Sequence, residues 1–261
     1  MSDRNSDIVL PKLPFARKFT IVMVSFEQLQ ATVEYQCQTN LNLYDSALCD
    51  RLATQAAAGR HLRVLELPEN QFAMVPRKTT FGIAVCLCED DYPGWLLRSD
   101  IGGLKLANTT HTAIALSATE ISNRLPDVIK FTQLAMQQAN YYLWGGTVAP
   151  NYDCSGLIQA AFASVGVWLP RDAYQQEAFT DAIAIEELLP GDLVFFGTAD
   201  KATHVGLYLG NGSYIHSSGK EIGRNGIGID SLSNLEDEVS RSYYHQLRCC
   251  GRVVKSYQPQ K

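Results

Sequence analysis

The sequence predicts an α+β chain in two parts, a small all-β barrel followed by a mixed unit in which helices precede a run of strands. Three observations carry this. Short β-prone runs broken by turns fill residues 32–106, at 32–37, 41–44, 61–67, 71–76, 82–88 and 94–98, the spacing of a small barrel. A stripe of apolar residues at helical period follows Cys154. Two runs rich in Val, Ile, Leu and Tyr then flank Gly210-Asn211-Gly212, a hairpin signature. In chain order, residues 1–30 read as an extension, 31–106 as the barrel, 107–123 as a linker and 124–261 as the mixed unit.

The extension carries Arg17-Lys18 before an apolar run from Phe19 to Phe26. That run is at the short limit of a secretory core and lacks a small-x-small cleavage site. Met23 offers an alternative start, which would make 1–22 a weakly ordered or spurious extension. Within the barrel, Ala56-Ala57-Ala58 suggests that 53–59 adds a helical turn. The second part of the linker reads as partly helical, and Ser122 or Asn123 is placed to cap a helix over Pro126–Asn140, with Pro126 in its first turn. Val128, Ile129, Thr132, Ala135 and Met136 form one side of that helix.

The next helix carries the chemistry. After Cys154, Leu157, Ile158, Ala161, Phe162 and Val165 form one stripe, Asp153 is placed as the N-cap and Gly166 as the stop. A cysteine in the first turn meets unpaired N–H groups and the positive end of the helix dipole, both of which favour a thiolate nucleophile. A buried structural cysteine is the plainer alternative. A nucleophile also needs a base and a group to orient it. Of the five histidines, His204 and His216 fall on the two strands of the hairpin. With the turn centred on Gly210 or Asn211, His216 faces His204 or Gly206, and both imidazoles share one face. A metal site of Cys154, His204 and His216 is a weaker use of the same residues.

The ordered run Tyr142-Leu143-Trp144-Gly145-Gly146, Asp153-Cys154-Ser155-Gly156-Leu157, Leu169-Pro170-Arg171-Asp172, Leu189-Pro190-Gly191-Asp192-Leu193-Val194-Phe195-Phe196 and His204-Val205-Gly206-Leu207-Tyr208 resembles the NlpC-type cysteine peptidases. The resemblance implies a papain-like domain over 124–261 that cuts peptidoglycan stem peptides. It implies Cys154 as nucleophile, His204 as general base and His216 as its orienting residue. The oxyanion would be met by the backbone N–H of Cys154, with Tyr142 nearby. Upstream, Asn42-Leu43-Tyr44 with Asp45-Ser46, and Asp91-Tyr92-Pro93-Gly94-Trp95, are similar to a bacterial SH3-like domain.

Relatives of this layout act on free murein fragments, the SH3-like barrel closing one end of the cleft so that only peptides beginning with free L-Ala fit. The resemblance then implies cleavage of L-Ala-γ-D-Glu-diamino acid after γ-D-Glu. Asp153, Asp172 and Tyr92 match positions that solvate the substrate ammonium, which needs acceptors once buried. Arg171 would face a substrate carboxylate or pair locally, and Tyr142 and Ser155 complete the expected substrate contacts. Ala173 departs from the family's Arg-Asp-Ser pattern, which removes a hydroxyl contact. Asp153 as a cap alone and Tyr92 as barrel surface are the plain alternatives.

Composition agrees with a globular enzyme: 46% of residues are hydrophobic and 19% charged, enough apolar material for real cores. A net charge of −5 without basic clusters gives no reason to expect nucleic acid or an anionic membrane. No stretch is long enough to span a bilayer. Seven cysteines without metal-finger spacing read as mostly reduced thiols, which points to the cytoplasm, with export as the alternative. No cofactor or metal is expected. An exported wall endopeptidase, an amidase and a non-catalytic peptide-binding protein remain as competing functions.

Overall fold

The computed structural model describes residues 24–67 and 81–260. The expected strand at 71–76 and residues 1–23 of the N-terminal extension lie outside them.

The first part holds β1 (Glu34–Cys37), β2 (Leu41–Tyr44), β3 (Leu52–Ala56), β4 (His61–Val64), β5 (Gly82–Leu87), β6 (Pro93–Leu97) and β7 (Leu104–Leu106). Among the described residues these pair antiparallel in the order β3-β2-β6-β5-β4-β1-β7. Alternate side chains point inward, as a pleated strand requires, so Tyr35, Leu43, Leu62, Val85, Leu96 and Leu104 gather in one core. The helical turn expected over 53–59 is not formed. Leu52–Ala56 pairs with Leu41–Tyr44 and buries Thr54 and Ala56. Cross-strand packing outweighs the helix preference of alanine here, and only Ala58-Gly59 forms a turn.

The second part opens with α1 (Ala118–Ser122) and α2 (Leu125–Met136). Ser117 starts α1, the helical part expected of the linker, through a reciprocal box with Glu120. Ser122 ends α1 and Asn123 is its C-cap, so Arg124 rather than Ser122 or Asn123 stands at the N-cap of α2. Helix α2 ends at Met136 rather than Asn140. Asn140 instead turns its side-chain oxygen to the N–H of Ile227, 2.8 Å away, which ties the chain to the sheet. The short pair β8 (Thr147–Val148) and β9 (Asn151–Tyr152) leads into α3 (Cys154–Ala163), and α4 (Ala173–Phe179) follows.

The remaining elements are β10 (Asp181–Ile183), β11 (Leu193–Gly197), β12 (Ala202–Gly210), β13 (Ser213–Ser218), β14 (Gly226–Ser231), α5 (Glu238–Tyr244) and β15 (Leu247–Arg252). The strands form an antiparallel sheet in the order β10-β15-β11-β12-β13-β14. One face, with Leu193, Phe195, Val205, Leu207 and Ile215, packs on α2 and α3. The other buries Val194, Phe196 and Tyr214 beneath Tyr243 of α5. The neighbours Cys249 and Cys250 point to opposite faces, one toward each cluster.

Polar contacts join the two parts. Gln55 of β3 receives the backbone N–H groups of Thr147 and Val148. Gln159 of α3 donates to Asp90 beside the barrel core at 2.7 Å. Asp90 is also held by Arg60, whose guanidinium lies over the Trp168 ring.

Candidate active site

Helix α3 begins where the apolar stripe requires it. Leu157, Ile158, Ala161 and Phe162 are fully buried. The Asp153 carboxylate accepts the N–H of Gly156 at 2.6 Å, capping the first turn. A side chain at Gly156 would put its Cβ 2.0 Å from the carbonyl oxygen of Gly146, so only glycine lets the helix start rest on that backbone. Cys154 is the first helical residue, and its sulfur is met by the N–H groups of Ser155 and Val205.

The sulfur's electrostatics differ from the sequence expectation. Burial pushes the Cys154 thiol up to about 12, and the Asp153 carboxylate adds to this. The two backbone N–H groups and the Arg171 guanidinium pull the other way without prevailing. The helix start is too enclosed to hold a bare thiolate at rest.

Strand register places the histidines. Leu207 faces Ile215 and Tyr208 faces Tyr214, so His216 lies opposite Gly206. The turn runs through Asn211 and Gly212, both at positive φ (52° and 74°), the backbone of a tight hairpin. A Cβ at Gly206 would come within 2.6 Å of the Tyr214 ring, so glycine there makes room for the aromatic packed beside His216. His204 sits diagonally across from His216, two residues along the same face of β12, a separation long side chains bridge. His204 Nε2 and His216 Nδ1 are 2.6 Å apart.

On the other side, His216 pairs with Gly228 of β14, and Asp230 is again two residues along. His216 Nε2 lies 2.7 Å from Asp230 Oδ2. Arg224 and Ser240 donate to the same carboxylate at 2.5 and 2.9 Å. Tyr243 stacks on His204 with ring centroids 4.5 Å apart and meets His216 edge-on. Burial drives both imidazoles toward the neutral form, His204 well below its ordinary value of 6.5, with His216 adding to the shift. The bonds from His216, Arg224 and Ser240 hold Asp230 ionised far below the usual carboxylate range, although burial alone would raise it.

Sequence reasoning missed Asp230, Arg224, Ser240 and Tyr243. Asp230 follows from the β13–β14 register, which no short turn motif announces. The other three come from a loop and a helix brought in by the fold. Among the described residues, no cluster of three or more His, Cys, Asp and Glu side chains is arranged to hold a metal, and both ring nitrogens of His216 are already engaged.

A cavity of about 350 Å³ opens over Cys154. All six expected substrate residues line it: Tyr92, Tyr142, Asp153, Ser155, Arg171 and Asp172. Their states differ. Arg171 is buried and pairs locally, its Nη1 and Nη2 reaching the Asp153 oxygens at 3.1 and 2.6 Å and its Nε reaching Thr54 Oγ1 at 2.8 Å. Asp153 also accepts the N–H groups of Gly145 and Gly156, so each of its oxygens already takes two strong donors. Asp172 receives the Tyr92 hydroxyl, and burial raises its carboxyl despite the opposing charge of Arg171. Tyr92 is pushed up to about 12 by burial, with Asp172 the next cause. Trp144 forms part of the cavity wall and is 60% exposed, a rim residue.

Residues 139–249 match the NlpC/P60 family and residues 43–101 the bacterial dipeptidyl-peptidase SH3 domain. The C-terminal unit is an NlpC/P60 domain. The chain therefore joins a bacterial SH3 domain to a papain-like NlpC/P60 domain, an α+β architecture. It is similar to the bifunctional muramidase/DL-endopeptidase CwlT of Bacillus subtilis, at 46% identity over 30% of this chain and 25% of that protein. The probable endopeptidase p60 of Listeria monocytogenes is 40% identical over 35% of this chain and 18% of its own length. The murein DD-endopeptidase MepS/murein LD-carboxypeptidase of Escherichia coli is 31% identical over 41% of this chain and 60% of its own. The chain thus spans only 18% to 60% of the length of these curated relatives. Among solved structures, an NlpC/P60 family protein from Bacillus cereus shares 21% identity, with a TM-score of 0.44 over 85% of this chain and 64% of that one.

Proposed function

We propose that this protein is a cysteine endopeptidase that hydrolyses the γ-D-glutamyl–L-diamino acid bond of free murein peptides bearing an unblocked N-terminal L-Ala. One observation carries the reading: Cys154, at a helix start and bonded at sulfur by the N–H of Val205 next to His204, lines a cavity whose wall is partly built by the preceding SH3 domain, through Asp45, Arg51 and Tyr92. A wall endopeptidase needs a cleft open at both ends to admit a peptide still attached to a glycan. Here one end is bordered by the barrel, with a carboxylate and a hydroxyl, Asp172 and Tyr92, in mutual contact. They suit an ammonium group. Asp172 serves this role better than Asp153, whose oxygens are committed to Arg171 and the helix cap. Lys201, exposed on the same cavity wall, offers a cation to the free α-carboxylate that a γ-linked glutamate retains.

The burial-driven shifts define the resting pair as neutral thiol and neutral imidazole. His204 removes the Cys154 proton as the sulfur attacks the γ-carbonyl carbon. The oxyanion is met by the Cys154 N–H, a first-turn donor with no intrahelical acceptor. Collapse breaks the C–N bond, the imidazolium gives its proton to the departing amine, and a thioester remains. Water, deprotonated by His204, then attacks the thioester and frees the glutamyl carboxylate and the thiol. Cytoplasmic recycling of wall fragments is the setting this specificity implies.

The test is mass spectrometry of L-Ala-γ-D-Glu-meso-diaminopimelate and its N-acetylated form after incubation with the protein, with Cys154→Ala as control. Cleavage of the free peptide alone, lost in Cys154→Ala, is expected. Cleavage of both peptides would retain the peptidase and remove the amine-reading cleft. Cleavage of neither would overturn the reading.

A further inference from the structure

The histidine pair does not end at His216. Asp230 has a fully buried side chain, and every group facing it is a donor or can be one. Arg224 Nη2 and Ser240 Oγ reach Oδ1 at 2.5 and 2.9 Å. Arg224 Nε and His216 Nε2 reach Oδ2 at 3.4 and 2.7 Å. A carboxylate so placed is ionised and only accepts. His216 Nε2 must therefore carry a proton. A neutral imidazole has one N–H, which leaves His216 Nδ1 as a lone pair. The 2.6 Å contact to His204 Nε2 then requires His204 to donate from that nitrogen. The other nitrogen of His204, Nδ1, is left bare. Reversing His204 would set two lone pairs against each other across 2.6 Å, and reversing His216 would oppose two N–H groups there and turn a lone pair toward Asp230.

We infer that Asp230 is a positioning residue of the active site, fixing both histidine tautomers so that the lone pair of His204 Nδ1 is kept for the Cys154 thiol. The inference rests on the peptidase reading for its consequence but on the hydrogen-bond chain for its geometry. The arrangement also serves the charged intermediate. When His204 takes the thiol proton at Nδ1, its Nε2–H still donates to His216, and the Asp230 charge stabilises the imidazolium through that bridge. No proton passes down the chain. Arg224 is itself held by Asp237 at 2.6 Å, which limits how much of its charge opposes the imidazolium. Tyr214 and Tyr243 pack on His216, and Phe196 and Tyr243 on His204. Asp230 is thus the carboxylate in contact with the pair.

The deciding experiment is ¹⁵N NMR of the full-length protein with labelled histidine, at a pH above 7, in the parent and in Asp230→Asn. Nε2–H is expected on both His204 and His216 in the parent. In Asp230→Asn the amide can donate to His216 Nε2, so both rings should shift to Nδ1–H, which blocks the base. Turnover of the free tripeptide should then fall by about 10²–10⁴-fold, the usual contribution of a general base, with little change in KM. Asp230→Glu should restore part of the rate. A parent His204 protonated at Nδ1 overturns the inference, as does an Asp230→Asn protein with parental tautomers. The parent spectrum decides even if the variant does not fold, and it needs no substrate. Failure of the peptidase reading would show instead as the expected tautomers without cleavage.

Discussion

Two arginine–aspartate pairs flank the site, and they perform different tasks with the same chemistry. Arg171 and Asp153 join the start of α3 to the barrel: the arginine side chain is 1% exposed and also reaches Thr54 in β3. Arg224 and Asp230 lie behind the histidines: the arginine side chain is 35% exposed, while that of the aspartate is fully buried and touches His216. In the first pair both charges are withdrawn from water and serve architecture. In the second, only the aspartate is withdrawn, and its charge is directed at a titrating ring. A buried ion pair adds little net stability over an apolar replacement of both partners, yet losing one partner strands the other. Position relative to the imidazole, rather than pair type, decides whether such a pair is felt in stability or in rate.

Substitution at the two arginines should separate the tasks most clearly. Arg171→Met strands Asp153 and is expected to cost about 3–5 kcal/mol in urea unfolding. Arg224→Gln is expected to cost less, because Asp230 keeps Ser240 and His216 as donors, and to move the acid limb of turnover upward, because the lost cation had disfavoured protonation of the histidine pair. Equal stability losses in the two variants would break the distinction. A smaller effect is expected from Thr54→Val, which keeps the shape of β3 but removes the acceptor for Arg171 Nε. We expect about 1–3 kcal/mol, together with weaker discrimination against the N-acetylated peptide if the loss loosens the barrel against the cleft. Unchanged unfolding and unchanged discrimination would show that this cross-domain bond is dispensable.

The response to pH is the gentlest probe. The folded values of His204 and His216 lie below 6.5, so below pH 6.5 the unfolded chain binds protons that the native state excludes. Their contribution to stability is full above pH 6.5 and declines as pH falls through the folded values. The acid limb of turnover should likewise lie below pH 6.5, where His204 becomes protonated and ceases to be a base. A limb at or above pH 6.5 in kcat/KM would show that the buried, neutral pair is not the resting state in solution.

Much of the fold was legible in local pattern. The stripe after Cys154 marks α3, Asp153 marks its cap, and Gly210-Asn211-Gly212 marks the hairpin, because each depends on neighbours within a few residues. The alanine run at 56–58 misled for the opposite reason: its strand is imposed by pairing with β2, remote from any local preference. The thiolate expectation at Cys154 considered the helix dipole, but burial under the cavity wall and the Asp153 carboxylate opposed it.

The sequence alone determined the types and order of the reactive groups: a cysteine opening a helix, histidines on paired strands and a preceding β-rich part. Tertiary structure decided their states. The β13–β14 register brought Asp230 to His216, α5 laid Tyr243 on His204, and burial set the thiol and imidazoles to their neutral forms. Hydrogen-bond direction and desolvation depend on atoms supplied by remote segments, and those meet only once the chain has folded.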